Sequence, residues 1–321
     1  MNPLLHRRLL VICIVALALR SPGALANSVY VGGGSGQALQ VAMNAASSGD
    51  TVVVGPGTYS VARCLYVLKP LHILSEKGPQ VTIIANVYDY SGPGEWDYGS
   101  SGFHVCYTMA GDFTIAGFTI RNHSEYGFDV SSGYGISACA SGTIRDNVFE
   151  RNQKAIGALC GVTVLRIENN IIYQSNRGIT TEYAASIEVH HNTMANNYDQ
   201  IVIGYSGAGP SSVAIAHNII ANGHLGIKAD SSAALSISCN DVWDNSAGNY
   251  IGYVSDRTGV DGNISTDPLF CNGHYLHLGS PCLGANVPEI CDGEHMGCFP
   301  IPCEVGTEKT SWGKIKNLFH P

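Results

Sequence analysis

Five ionisable side chains fall at matching places in a repeated pattern: Arg145, Arg166, Glu168, Glu188 and His190. Together they supply what proton-transfer chemistry needs. An arginine or histidine can accept a proton, and a nearby glutamate can partner it or hold a metal ion. β-Elimination from a uronic acid is one such reaction: a base removes the proton α to the carboxylate while a cation neutralises that carboxylate. A solvated sheet accounts for the same residues differently, as a ladder of cross-strand ion pairs each contributing about 0.2–1 kcal/mol. Both readings require the five to share one face.

The repeat that would place them there runs from Thr143 to Val242. Five short alternating segments end in Asn147, Asn170, Asn192, Asn218 and Asn240, in steps of 23, 22, 26 and 22 residues. A second small polar residue follows each: Asn152, Asn176, Asn197, Asn222 and Asn245. A recurrence at this period marks stacked structural units, and the unit is too short for strands plus a long helix. The spacing predicts a parallel β-solenoid in which each strand lies about 4.8 Å above its equivalent. Stacked asparagines then hydrogen-bond in a ladder, and Asn also tolerates the left-handed backbone of a sharp corner.

Alternation assigns the faces. Three residues before each ladder Asn stand Ile144, Ile167, Val189, Ile215 and Ile237, which point inward. The outward column two residues before it reads Arg145, Glu168, His190, Ala216, Ser238. The column four before it reads Thr143, Arg166, Glu188, Ala214, Ser236. His191 and His217 occupy the position before the Asn and should stack at the corner, either as satisfied turn histidines or as ligands of a transition metal.

Met1 to Ala26 carries a basic opening, an apolar stretch and an Ala-Leu-Ala before Asn27, the pattern of a secretory leader. The apolar stretch is shorter than the roughly 20 residues a membrane span needs, and no later segment is long enough. The formal charge is −8, more negative once Arg7, Arg8 and Arg20 leave with the leader. Such a chain is a poor general partner for nucleic acid or anionic membrane. Cys13 also departs, and the remaining even number of cysteines in an exported chain reads as disulfides. Cys139 and Cys160 lie about one coil apart, and the crowd from Cys271 to Cys303 implies a stapled C-terminal region.

Gln37 to Ala46 has one apolar helical face and reads as a lid on the solenoid's first coil, with Thr51–Val54 as the first strand. Asn86 to Tyr107 breaks the period. Its Tyr88, Tyr90, Trp96 and Tyr98 read either as a sugar-stacking loop or as half-buried aromatics folded onto the solenoid. The tail from Thr310 reads as a small plugging helix or a sorting tag. Asn122 and Asn263 stand in glycosylation sequons. No Walker loop, HExxH or GxSxG motif occurs, and Gly32 to Gly36 precedes the first strand, so it is a linker rather than a phosphate cradle.

The segment GDTVVVGPGTY, followed by LKPLHILSEKGPQVTIIA, resembles the opening of right-handed parallel β-helix proteins of the pectate-lyase-like superfamily. Phe113–Ile120 looks like one of their coils, with Phe118 where later coils carry Asn. The later run Asp267-Pro268-Leu269-Phe270 … Ser280-Pro281 resembles the closing segment of secreted bacterial members. Tyr126-Gly127-Phe128-Asp129 is similar to the start of the alginate C5-epimerase motif, but Val130-Ser131-Ser132 replaces its Pro-His-acid continuation and removes a catalytic histidine.

The expectation is therefore an all-β chain: leader 1–26, one right-handed parallel β-helix over 27–303, and a tail 304–321. It should have about nine or ten coils, a helical N-cap and a disulfide-rich C-terminal region. The functional expectation is an extracytoplasmic, monomeric protein that binds polysaccharide or a cell-surface glycan without catalysis. The alternative is a polysaccharide lyase, hydrolase or epimerase working on the Arg145–His190 face. The resemblance leaves Ca2+ open as a cofactor and requires none.

Overall fold

The computed structural model describes residues 26–61, 64–86, 101–105, 111–123, 133–159, 164–183, 186–204, 209–271 and 273–298. The leader up to Leu25, the tail, the aromatic group Tyr88, Tyr90, Trp96 and Tyr98, the Tyr126–Asp129 motif, Cys106, Cys160 and Cys303 lie outside the described residues.

Each coil contributes one short strand to each of three parallel sheets, which hold nine, eight and eight strands. That makes about eight complete coils, fewer than expected, because the winding stops at Gly252 and the chain then folds back. The first sheet includes Gly142–Arg145, Val164–Glu168 and Ser186–His190. The second includes Thr119–Arg121, Val148–Glu150 and Ile171–Tyr173. Ile144, Ile167, Val189, Ile215 and Ile237 stack like on like inside a core that runs from Val31 to Val254.

The asparagines stand in single file. The backbone N–H and Nδ2 of Asn147 both donate to Asn170 Oδ1, at 3.1 and 3.2 Å. The same pair of bonds links Asn170 to Asn192, Asn192 to Asn218 and Asn218 to Asn240. Each Nδ2 also donates inward, as Asn192 does to the Ile167 carbonyl at 2.8 Å. The corner's buried polar groups are thereby paired without water, which a buried backbone requires. The file starts one step earlier, where Phe118 N–H donates to Asn147 Oδ1, and ends one step later at Asn263. Asn263 is buried as the last rung, so its sequon is closed in the folded protein.

Three details differ from the sequence expectation. The left-handed corner residue is the one before the ladder Asn: Asp146, Asn169, His191, His217 and Cys239, with φ between 53 and 57°. Asn is thus selected for its amide, and its neighbour for backbone tolerance. At the second corner the buried rungs are Asn152, Ser175, Asn197 and Asn245, whereas Asn222 is itself left-handed. Ser28–Val31 precedes Thr51–Val54 as the first strand and pairs with it in parallel. Helix α1 (Gly36–Ala45) covers the end with Leu39 and Met43, as expected, and Ser35 at the end of the glycine run caps it by accepting from Ala38 N–H.

The described segment after the winding is a strap. It lies along the outer face of the second sheet, where Leu276, Cys282, Cys291 and Met296 bury against Ile219 and Ala221. The Cys239–Cys291 disulfide ties strap to solenoid. Cys282 and Cys298 are buried free thiols, contrary to the disulfide reading. Each has a polar partner instead: Cys282 donates to Asp241 Oδ2 at 3.2 Å, and Cys298 to the Asn169 carbonyl at 2.9 Å. Among the described residues no helix is long and apolar enough to cross a membrane.

Candidate functional site

The five residues expected to form a working face do share one. Arg145 sits opposite Glu168, Glu168 opposite His190, and Arg166 opposite Glu188. Arg166 Nε lies 2.9 Å from Glu188 Oε2, with 51% and 33% of the two side chains exposed. Arg145 turns to its neighbour Asp146. This is a solvated ion-pair ladder, and none of the five lines the cavity or the groove described below.

The second sheet carries a more enclosed arrangement. Its outward residues lie one and three places after the ladder position. The column at the third place reads Arg121, Glu150, Tyr173, then Ala195, Ala221 and Trp243. The column at the first place reads Thr119, Val148, Ile171, Thr193, Ile219 and Asp241. Between these, Ile120, Phe149 and Ile172 point into the core. The strap covers the later coils and stops short of the earlier ones. A cavity of about 300 Å3 remains at its edge. Arg121, Glu150 and Tyr173 form part of its floor, and His274 and Tyr275 of the strap form part of its wall.

Three bonds organise this floor. Arg121 Nη1 donates to Glu150 Oε1 at 3.1 Å, and the Tyr173 hydroxyl donates to Glu150 Oε2. His274 stacks on Tyr173 with ring centres 5.0 Å apart and planes 30° from parallel. Burial pushes the Glu150 carboxyl up, but the Tyr173 hydroxyl and Arg121 guanidinium outweigh it and hold the group below its ordinary value. Burial, with Glu150 as acceptor, raises the Tyr173 phenol. Burial lowers His274, partly offset by Glu150. The site thus holds a carboxylate, a phenol kept neutral and an imidazole biased towards its neutral form, beside the Arg121 guanidinium.

At the second corner an open groove of about 650 Å3 is lined by Gln174, Asn176, Asn196, Asn222 and other uncharged polar residues. In it Tyr198 and His224 stack at 4.4 Å, 10° from parallel. At the first corner His191 and His217 stack at 4.9 Å, as the spacing predicted. Burial, then the nearby His295 and His217, lowers His191 to about 4.

The sequence reading missed Arg121, Glu150, Tyr173 and His274. The signal was present: counting forward from Phe118, Asn147 and Asn170 by three gives the floor. Only the strand before the ladder had been assigned faces.

These features define a parallel β-solenoid with one bare face and one strapped face. Residues 47–194 match the family described as right handed beta helix region, and the strands beyond them continue the same winding to Gly252. No curated protein matches the chain.

Proposed function

We propose that the protein is a secreted, monomeric glycan-binding solenoid whose central subsite is the Arg121–Glu150–Tyr173 pocket. The observation that carries this reading is the pre-paired floor under a stacked aromatic pair. An arginine and carboxylate locked together offer donors and acceptors side by side, suited to vicinal hydroxyls. Tyr173 and His274 add flat apolar surface for a sugar ring. At about 300 Å3 the cavity lies at the small end of ligand sites, room for a short piece of a chain. Glu150 already neutralises Arg121, so little positive charge is left for a uronate. The net charge of −8 disfavours polyanions further. The substrate class that fits is a neutral, hydroxyl-rich polysaccharide, with the amide groove beside Tyr198 as a second contact.

The test is a panel of neutral and uronate oligosaccharides screened by array, with hits titrated by calorimetry. Arg121→Ala combined with Tyr173→Ala should weaken binding at least tenfold, and Arg166→Ala combined with Glu168→Ala should leave it unchanged. Binding lost through the second pair, or ultraviolet-absorbing unsaturated ends appearing in the mixture, would move the function to the first sheet and to lyase chemistry. No binding across the panel overturns the proposal.

A further inference from the structure

We propose that His191, His217 and Glu294 form a binding site for a divalent transition metal ion of the zinc type. The two histidines come from successive coils, one position before Asn192 and Asn218. Glu294 comes from the strap. Both imidazole Nε2 atoms face one carboxylate oxygen, Glu294 Oε2, at 3.7 Å from His191 and 3.5 Å from His217. All three potential ligand atoms lie within 4.8 Å of one another, and this is the one such group of His, Cys, Asp and Glu among the described residues.

The distances suit coordination better than direct hydrogen bonding. A good N–H···O bond is about 2.9 Å long. Ligand atoms about 2.0–2.1 Å from a tetrahedral zinc ion lie roughly 3.4 Å apart, close to the observed spacing. Nδ1 of each ring is buried, and the His295 backbone is close enough to the His191 ring to act on it. The corner and the strap, through His295 among others, set the arrangement of these rings.

The scaffold holds the ligands firmly. The histidine backbones are fixed by the Asn ladder, since Asn192 N–H and Asn218 N–H each donate to the next rung. Glu294 sits three residues after Cys291, which is bonded to Cys239. Gly297 N–H donates to the His217 carbonyl at 2.8 Å, closing the strap over the corner. Pre-ordering of this kind lowers the entropic cost of gathering ligands.

Two imidazoles and a carboxylate are borderline ligands that favour Zn2+, Cu2+ or Ni2+. Calcium takes six or more oxygens, so two nitrogens argue against it here. Three protein ligands leave a fourth position, open towards solvent because the Glu294 side chain is 61% exposed. Bound metal would staple the strap to the corner and raise stability by mass action.

The experiment titrates ZnCl2 into the full untagged chain, free of chelator, by calorimetry and elemental analysis. Co2+ serves as a second probe, because tetrahedral Co2+ absorbs strongly in the visible. The expected result is one ion per chain, a rise in melting temperature with added Zn2+ and a tetrahedral Co2+ spectrum. Glu294→Gln, an isosteric change on an exposed side chain, and His217→Asn, which keeps a left-handed-tolerant residue, should each weaken Zn2+ binding at least tenfold. Glu188→Gln on the bare face should not. Absence of stoichiometric binding, or equal binding by the Glu294→Gln and His217→Asn variants, overturns the site.

Discussion

Two outer faces of one winding meet opposite fates. On the first sheet the outward columns are charged or small, the side chains reach water, and Arg166 and Glu188 are half-exposed or nearly so. On the second sheet the outward residues Val148, Ile171, Ile219 and Trp243 interrupt the polar pattern, and the later ones lie beneath the strap. Both faces obey the same two-residue alternation. What differs is the chemistry of the outward column, and that chemistry decides whether the face is solvated or covered. A charge on the bare face is screened. The same charge at the strap's edge gains a partner, a fixed ionisation state and a cavity.

The largest effect that could break this comparison is loss of the tie that holds the strap. Cys239 and Cys291 are 52 residues apart, a loop whose closure contributes about 4 kcal/mol in the chain-entropy account. Cys291→Ser should lower unfolding stability by roughly 3–4 kcal/mol and expose 266–298 to limited proteolysis. Denaturant titration and mass mapping of the cut sites would check this. An unchanged midpoint would mean that burial alone holds the strap.

Next in size is the corner that both faces share. Asn192→Ala removes the acceptor for Asn170 N–H and the donors to Asn218 Oδ1 and the Ile167 carbonyl. Stranded buried polar groups each cost about 1–3 kcal/mol, so the variant should lose roughly 2–4 kcal/mol in denaturant unfolding. A loss below 1 kcal/mol would show the amide file to be replaceable by water.

A smaller effect separates the faces by pH. Asp241 is buried under the strap, accepts from Thr266 N–H at 3.1 Å, and burial raises its carboxyl to about 6. Its unfolded value is near 3.9. Between the two the folded state holds a proton that the unfolded chain has lost. Its contribution is therefore complete below about pH 4 and is lost as pH rises through 6. Half-buried His104 and His274, both lowered by burial, work in the opposite sense, because stability from a depressed histidine is lost as pH falls below about 6.5. Comparing wild type with Asp241→Asn isolates the carboxyl. The variant should lose the falling slope and be about 1–2 kcal/mol more stable at pH 7.

How much of this was legible depends on which residues carried it. The Asn period was enough to place the ladder, the inward isoleucines and the register Arg145–Glu168–His190, because stacking repeats identical local physics at each coil. The apolar outward residues Val148, Ile171 and Ile219 were an unread sign that something covers the second sheet. Where the strap stops was not legible. It depends on Leu276 and Met296 finding Ile219 and Ala221, contacts far apart in sequence that no periodicity encodes. For the same reason Glu294 could not be joined to His191 and His217 from spacing alone. The even cysteine count misled at Cys282 and Cys298, whose thiols fill the strap interface as small apolar groups with one donor each.

The smallest expected effect tests the bare face itself. Arg166 and Glu188 form the best ion pair of the five-residue ladder, 2.9 Å apart, yet both side chains reach water. Exposed pairs of this kind couple by about 0.2–1 kcal/mol and are screened by salt. A double-mutant cycle with Arg166→Ala and Glu188→Ala should give a coupling near 0.5 kcal/mol that shrinks when salt is raised to 1 M. The two faces would then differ in kind, one tuned by solvent and the other by the strap. A coupling above about 2 kcal/mol, insensitive to salt, would instead mean that the ladder is desolvated by something resting on it. That result would return the working site to the first sheet, where charge type and spacing first suggested it.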